Sequence, residues 1–117
     1  MNYREINKNL WMYFFNFISR RTHGQEIELH VSSREIGAQT EKNWIRTEGF
    51  SYEVETDVLY IYTAQLAHPI AKPRQIFIGE AGSMIKSINI QNASEQLHVI
   101  QFRQPLQLEE RSESLST

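Results

Sequence analysis

The sequence predicts an α+β fold: one N-terminal amphipathic helix packed on a curled antiparallel sheet of six or seven strands, either open or closed as a small barrel. Three observations predict it. From about Ile6 to Arg21, apolar residues recur at helical spacing. Beyond Gly24, nearly every readable run alternates with a period of two. Those runs are short and separated by turn residues, which favours hairpins over long crossovers.

The helix has a start, a face and a stop. Asn7 is the expected N-cap, because its side-chain oxygen can accept from an orphan amide of the first turn. Ile6, Leu10, Phe14 and Ile18 stand four apart and share the face expected to be buried. Trp11 and Phe15 widen that face on one side, Tyr13 and Phe17 on the other. The apolar arc then spans roughly 200°, more than a helix lying on one core needs. Lys8, Asn9, Asn16, Ser19 and Arg20, with Met12 among them, make the polar side. Arg20 and Arg21 suit the last turn, where cations meet the negative end of the dipole. Gly24 is the expected stop.

The strands follow in order. Ile27, Leu29 and Val31 alternate with Glu26, Glu28, His30 and Ser32. Residues 37–45 form a weaker strand, with Trp44 and Ile45 its large apolar members. Phe50, Tyr52 and Val54 alternate with Ser51, Glu53 and Glu55. A turn at Thr56-Asp57 returns the chain through residues 58–62 as a hairpin. Residues 64–74 hold Pro69 and Pro73, which lack the amide a ladder needs, so this stretch is expected as a loop or an edge. Strands over 75–78, 84–90 and 97–102 complete the set, and Pro105 is expected to end the last. Residues 1–106 make one domain; residues 107–117 have little to bury and are expected to be a flexible tail.

Composition bounds the function. The chain has 117 residues, 40% of them hydrophobic and 22% charged. One domain of that size buries roughly 65% of the surface its unfolded chain exposes. There is no cysteine, which excludes a disulfide framework, a thiol nucleophile and a thiolate metal site. The formal net charge of −2 disfavours non-specific binding to nucleic acid or anionic lipid. No stretch approaches the roughly 20 apolar residues of a membrane span. A signal peptide's basic start and unbroken apolar run are also missing. The expected location is the cytoplasm.

One resemblance rests on particular residues. They are Trp11 with Phe14-Phe15 and Ser19-Arg20, then Gly37-Ala38-Gln39, then Gly49-Phe50-Ser51-Tyr52 leading to Asp57-Val58-Leu59. His68-Pro69-Ile70 and Pro73-Arg74-Gln75-Ile76 continue the pattern. In order and spacing these resemble a bacterial family known only as a domain of unknown function, over roughly residues 10 to 106. The hairpin from Tyr52 to Ile61 is also similar to a second uncharacterised bacterial family. Neither resemblance implies an activity, a cofactor or a functional residue. The chain departs from the first family at Asn92-Ala93-Ser94, where an Asp-Gly turn is usual, and in its Gln-rich last strand.

Candidate chemistry is sparse. A catalytic zinc needs three converging ligands, often with a helical i,i+4 pair. No two of His23, His30, His68 and His98 have that spacing, so no metal and no cofactor is expected. His30 and His98 can approach only if their strands pair. His68, with Lys72 and Arg74 in the same stretch, is the candidate ligand site, suited to a phosphate or carboxylate. Glu28, Glu53, Glu55 and Asp57 fall on polar strand faces or in a turn, the expected solvent side. No nucleophile elbow or phosphate-binding glycine loop occurs. Gly37-Ala38-Gln39 suits close backbone approach. Met12, Tyr13 and Phe17 are the candidate interface, being the aromatic and apolar surface left over once the helix has buried its stripe.

The function expected on these grounds is a non-enzymatic cytoplasmic binding or regulatory module acting through protein–protein contact, self-association included. One alternative is a small barrel binding single-stranded nucleic acid or a small anion. It would use Tyr60 and Tyr62 with Arg46, Arg74, Lys86 and Arg103. Another is an enzyme whose site is assembled by tertiary contacts alone.

Overall fold

The computed structural model describes residues 1–34 and 37–107. The elements run β1 (Asn2–Glu5), a 3-10 turn (Lys8–Leu10), α1 (Trp11–Thr22), β2 (Glu26–Ser33), β3 (Gly37–Glu53), β4 (Val58–Thr63), β5 (Ala67–Ala71), β6 (Pro73–Ala81), β7 (Met84–Asn92) and β8 (Leu97–Gln107). The strands form one antiparallel sheet in the order β1-β6-β7-β8-β2-β3-β4-β5. The α+β class is therefore as expected, but a strand, β1, precedes the helix, which the sequence does not predict. The sheet has eight strands rather than six or seven, and it is open, with β1 and β5 as its edges. It is not a barrel.

Three departures account for the new count. β1 carries no apolar alternation, and every one of its residues is exposed. Its ladder with β6, from Asn2 opposite Glu80 to Glu5 opposite Phe77, leaves no hydrophobic trace in the sequence. Residues 37–53, expected as two strands, form a single strand whose first part pairs with β2 and whose second part pairs with β4. Within the expected loop lies β5, where Pro69 sits opposite Tyr60 on an edge strand. An edge tolerates a missing amide.

Pro105 does not end β8 either. The ladder with β7 passes from Ser87 opposite Gln101 to Ile85 opposite Leu106. Three surplus residues of β8 are thus looped out there, a bulge that accommodates the proline. Gln107 belongs to β8, and the remainder of the expected tail lies outside the described residues.

The helix begins later than expected, and this turns its buried face. Asn7 does cap, accepting from the Asn9 amide at 3.2 Å, but what it caps is the 3-10 turn. The α-helix proper starts at Trp11 behind Leu10, which makes no side-chain cap. The buried stripe is Trp11, Phe15, Ile18 and Thr22. Of the stripe expected from spacing, Ile6 and Ile18 are buried, Phe14 is half-buried and Leu10 is 52% exposed. Trp11 is drawn inward by its indole N–H, which donates to the Ile6 carbonyl at 3.1 Å. Burying that polar tip with a partner makes tryptophan the better core residue at this place.

The core lies on the concave face of the sheet, with α1 across it. Phe15 tilts against Phe50 at 6.1 Å between ring centroids, and Trp11 meets Tyr52 edge-on at 5.2 Å. Phe50 in turn meets Phe102 of β8 at 6.5 Å. Ile27, Leu29, Leu59, Ile61, Ile70, Ile76, Ile78, Ile88, Ile90 and Ile100 fill the space between.

One contact seats the helix. The second part of β3 pairs with β4 on one side only. On its other side, the Ser19 hydroxyl donates to the Phe50 carbonyl at 2.6 Å and accepts from the Phe50 amide at 2.5 Å. One hydroxyl thus satisfies both groups a neighbouring strand would have satisfied. The approach requires Gly49: a Cβ there would stand 3.1 Å from Ser19 Oγ, on a backbone with φ of +151°. The sequence also suggests close approach at Gly37-Ala38-Gln39; nothing lies within 4 Å of the Gly37 Cβ position, and the side chains of Ala38 and Gln39 lie outside the described ones.

This packing sets two expectations for stability. Phe15→Ala should cost about 3–5 kcal/mol, the range for emptying a large core site, while Leu10→Ala should cost less than about 1 kcal/mol. Denaturant midpoints check the contrast, and equal losses at the two positions would contradict the rotation of α1 that buries Phe15 and exposes Leu10. Ser19→Ala should destabilise by about 1–3 kcal/mol, because it strands the amide and carbonyl of Phe50. A thermal melt indistinguishable from the parent chain would show that the bridge contributes nothing.

Candidate functional site

The late start of α1 leaves apolar surface at its first turn. Leu10 and Tyr13 stand three apart and share a side of the helix, with Met12 beside them. Tyr13 is 66% exposed and Met12 39% exposed. Facing them, where β3 ends, Val54 is 62% exposed. Between helix and hairpin runs a groove of about 560 Å³ lined by Asn7, Lys8, Asn9, Met12, Tyr13, Tyr52 and Val54. Its floor is apolar. Its rim carries two amides and one ammonium, and no carboxylate belongs to the lining.

The groove is held rigidly. Tyr52 packs on Trp11, and its hydroxyl donates to Asp57 Oδ1 at 2.7 Å. Asp57 occupies the left-handed region with φ of 58° in the β3–β4 turn, a conformation Asp tolerates better than most residues. The Asp57 carbonyl also accepts from the Lys72 amide at 2.8 Å. Burial first, then the hydrogen bond to Asp57 and its charge, push the Tyr52 phenol up to about 12.

Of the candidate interface residues, Met12 and Tyr13 line this groove. Phe17 does not; it is half-buried against the core, with the Arg21 guanidinium 3.9 Å from its ring centroid. Sequence spacing pointed to this end of the helix. The contribution of Val54 and Tyr52 arises only because the hairpin folds against the first turn.

The candidate ligand site is dispersed differently. His68 points to the concave side of β5, as Ile70 does. There it meets His98 of β8, with Nε2 of His68 3.3 Å from Nδ1 of His98. Lys72 is exposed at the junction of β5 and β6, with φ of 52°. Arg74, also exposed, lines a separate concavity of about 250 Å³ with Gln75, Gln91, Asn92, Ala93 and Glu95. His30 does lie on a strand paired with that of His98. Its ring points to the other face, however, where Nε2 meets Glu28 Oε1 at 2.9 Å. No three His, Asp or Glu side chains converge as a metal site among the described residues.

The cations considered for nucleic acid are spread over β3, β6, β7 and β8. Arg103 is paired with Glu26 at 3.3 Å. Tyr60 and Tyr62 do stack, 5.8 Å apart, on the convex face of β4. No helix among the described residues is long and apolar enough to cross a membrane.

The environment of Tyr52 yields a prediction. Its phenol should ionise near 12, whereas a tyrosine in the unfolded chain titrates near about 10. The folded value lies above the unfolded one. Its stabilising effect is therefore complete below about pH 10 and is lost as pH rises from about 10 to about 12. Ultraviolet titration of the parent chain and of Tyr52→Phe checks this; a late-ionising phenol that survives the substitution would contradict it.

The comparisons with known proteins agree with one another. An uncharacterised protein of Aquifex aeolicus (strain VF5) is 26% identical over 108 residues, covering 92% of this chain and 97% of its own. No solved structure gives a significant match. The profile of a family of unknown function, DUF5335, matches residues 2–111. That span takes in β1, the helix and every strand after it, so the chain belongs to the DUF5335 family of unknown function.

Proposed function

We propose that this chain is a binding module that acts through protein–protein contact, self-association included, at the groove between α1 and the β3–β4 hairpin. One observation carries the reading: Tyr13, Met12 and Val54, all large and apolar, stand exposed around one groove. Scattered exposed apolar residues need no explanation, whereas a contiguous rimmed patch marks a contact. Tyrosine and methionine are also the residue types that interfaces favour. The lining offers amide and ammonium donors without a carboxylate, which suits a segment carrying an acidic or carbonyl acceptor beside an apolar side chain. The chemistry of the groove is recognition; it holds no paired acid and base. A cytoplasmic location remains the reading favoured by the sequence.

Exposed positions can be changed without emptying the core. Met12→Asp with Tyr13→Asp should leave the free energy of unfolding within about 1 kcal/mol of the parent. Sedimentation equilibrium at tens of micromolar should show a mass above the monomer for the parent chain and the monomer for the double variant. A strictly monomeric parent removes self-association. A native-host partner captured equally by parent and double variant removes the groove as the contact.

The stacked Tyr60 and Tyr62 support a second reading, single-strand nucleic-acid binding on the convex face. Anisotropy of a labelled oligonucleotide, unchanged on adding the chain at low salt, would dismiss it.

A further inference from the structure

The His68–His98 contact is not used by the groove. It joins the edge strand β5 to β8 in the middle of the sheet, across the concave face. His98 is only 7% exposed. Its Nδ1 faces His68, and its Nε2 is buried with no hydrogen-bond partner. A neutral ring tolerates this. With the proton on Nδ1, His98 donates to His68, and only a lone pair is left bare at Nε2. An imidazolium has N–H groups on both nitrogens, so a second proton would bury an unpartnered, charged N–H.

Among the described residues, the neighbours of His98 in its own sheet layer offer that charge no carboxylate. Beside His98 in the sheet lie Val31 of β2 and Ile90 of β7. Across from it are His68 and Ile70 of β5, with Ile61 of β4 beside His68. His68 is the one titratable group facing His98 among the described residues of these strands. Glu28 and His30 of β2 point to the opposite face.

We propose that the His68–His98 pair is an acid-sensitive latch: protonating His98 lifts β5 from β8 and opens the concave face at this rim. β8 is ladder-bonded on both sides, to β7 and to β2, and cannot yield. β5 is an edge strand, bonded on one side only, to β4. Its ends are anchored. The Thr63 hydroxyl donates to the Leu66 carbonyl at 2.8 Å, and the Lys72 amide donates to Asp57. The movement is thus a local lifting between two fixed points, and it admits water to Nε2. In the closed state, burial, with a smaller contribution from His68, holds the His98 ring down to about 4. An unfolded histidine titrates near about 6.5. The closed form is therefore fully favoured above about pH 6.5, and that preference drains away as pH falls from about 6.5 to about 4.

Amide hydrogen exchange of the intact chain from about pH 7 to about pH 4, corrected for intrinsic rates, tests this. Protection of amides in β5 should fall by about two orders of magnitude, while β7 and β8 stay protected. His98→Phe should make β5 protection independent of pH. If that variant does not fold, His98→Gln keeps a hydrogen-bonding group without a titration and should behave alike. Unchanged protection of β5 in the parent overturns the latch. So does simultaneous loss in β5, β7 and β8, or a pH profile that survives replacement of His98.

Discussion

The position of α1 rests on one hydroxyl. Ser19 bonds both backbone groups of Phe50 on the side of β3 that no strand covers. Without it, the second half of β3 would present an unpaired edge beneath a helix, and buried backbone groups without partners are costly. Gly49 lets the helix come that close. The depth so imposed sets how far Trp11 and Phe15 enter the concave face. It also sets which residues of the first turn stay outside, among them the Met12 and Tyr13 that line the groove.

The length of β3 is the second constraint. It joins two parts of the sheet, pairing first with β2 and then with β4. Thr47 sits where the pairing changes hands. Its amide donates to Gln25, its hydroxyl to Tyr62, and its carbonyl accepts from Gly24 just beyond the helix. Helix exit, β2 and β4 therefore meet at one buried threonine. The curl that results lets the chain pass from β5, at one edge, into β6 near the other through Lys72 alone. It also brings His68 against His98.

The groove and the histidine pair lie in differently supported parts of the molecule. The groove is backed by rigid packing: Trp11 on Tyr52, Tyr52 on Asp57, Asp57 on the Lys72 amide. A preformed apolar site loses less entropy on binding than one that must be ordered first. The histidine pair lies beneath an edge strand, whose ladder is the easiest in the sheet to open. Lys72 ties the hairpin turn behind the groove to the turn after β7, since its amide serves Asp57 and its carbonyl accepts from Ala93.

Much of the fold was legible in the residues themselves. Period-two alternation located β2, β4, β6, β7 and β8, because half-buried strands must alternate when one face meets a core. Helical spacing located α1 but not its rotation. The arc was apolar most of the way round, and the choice of Trp11 and Phe15 over Leu10 and Phe14 was made by a tertiary fit to Phe50 and Tyr52. β1 was invisible because an edge strand exposed on every side chain needs no pattern, only backbone groups to pair. β5 was hidden by Pro69, whose missing amide is tolerated at an edge. Met12 and Tyr13 could be singled out as surplus apolar surface, whereas Val54 joined them only through the hairpin. Sequence alone thus determined the α+β class, the strand content of the centre and the absence of thiol chemistry. Tertiary structure alone decided strand order, openness, the groove and the meeting of two histidines thirty residues apart, since each depends on contacts between segments that carry no local signal of one another.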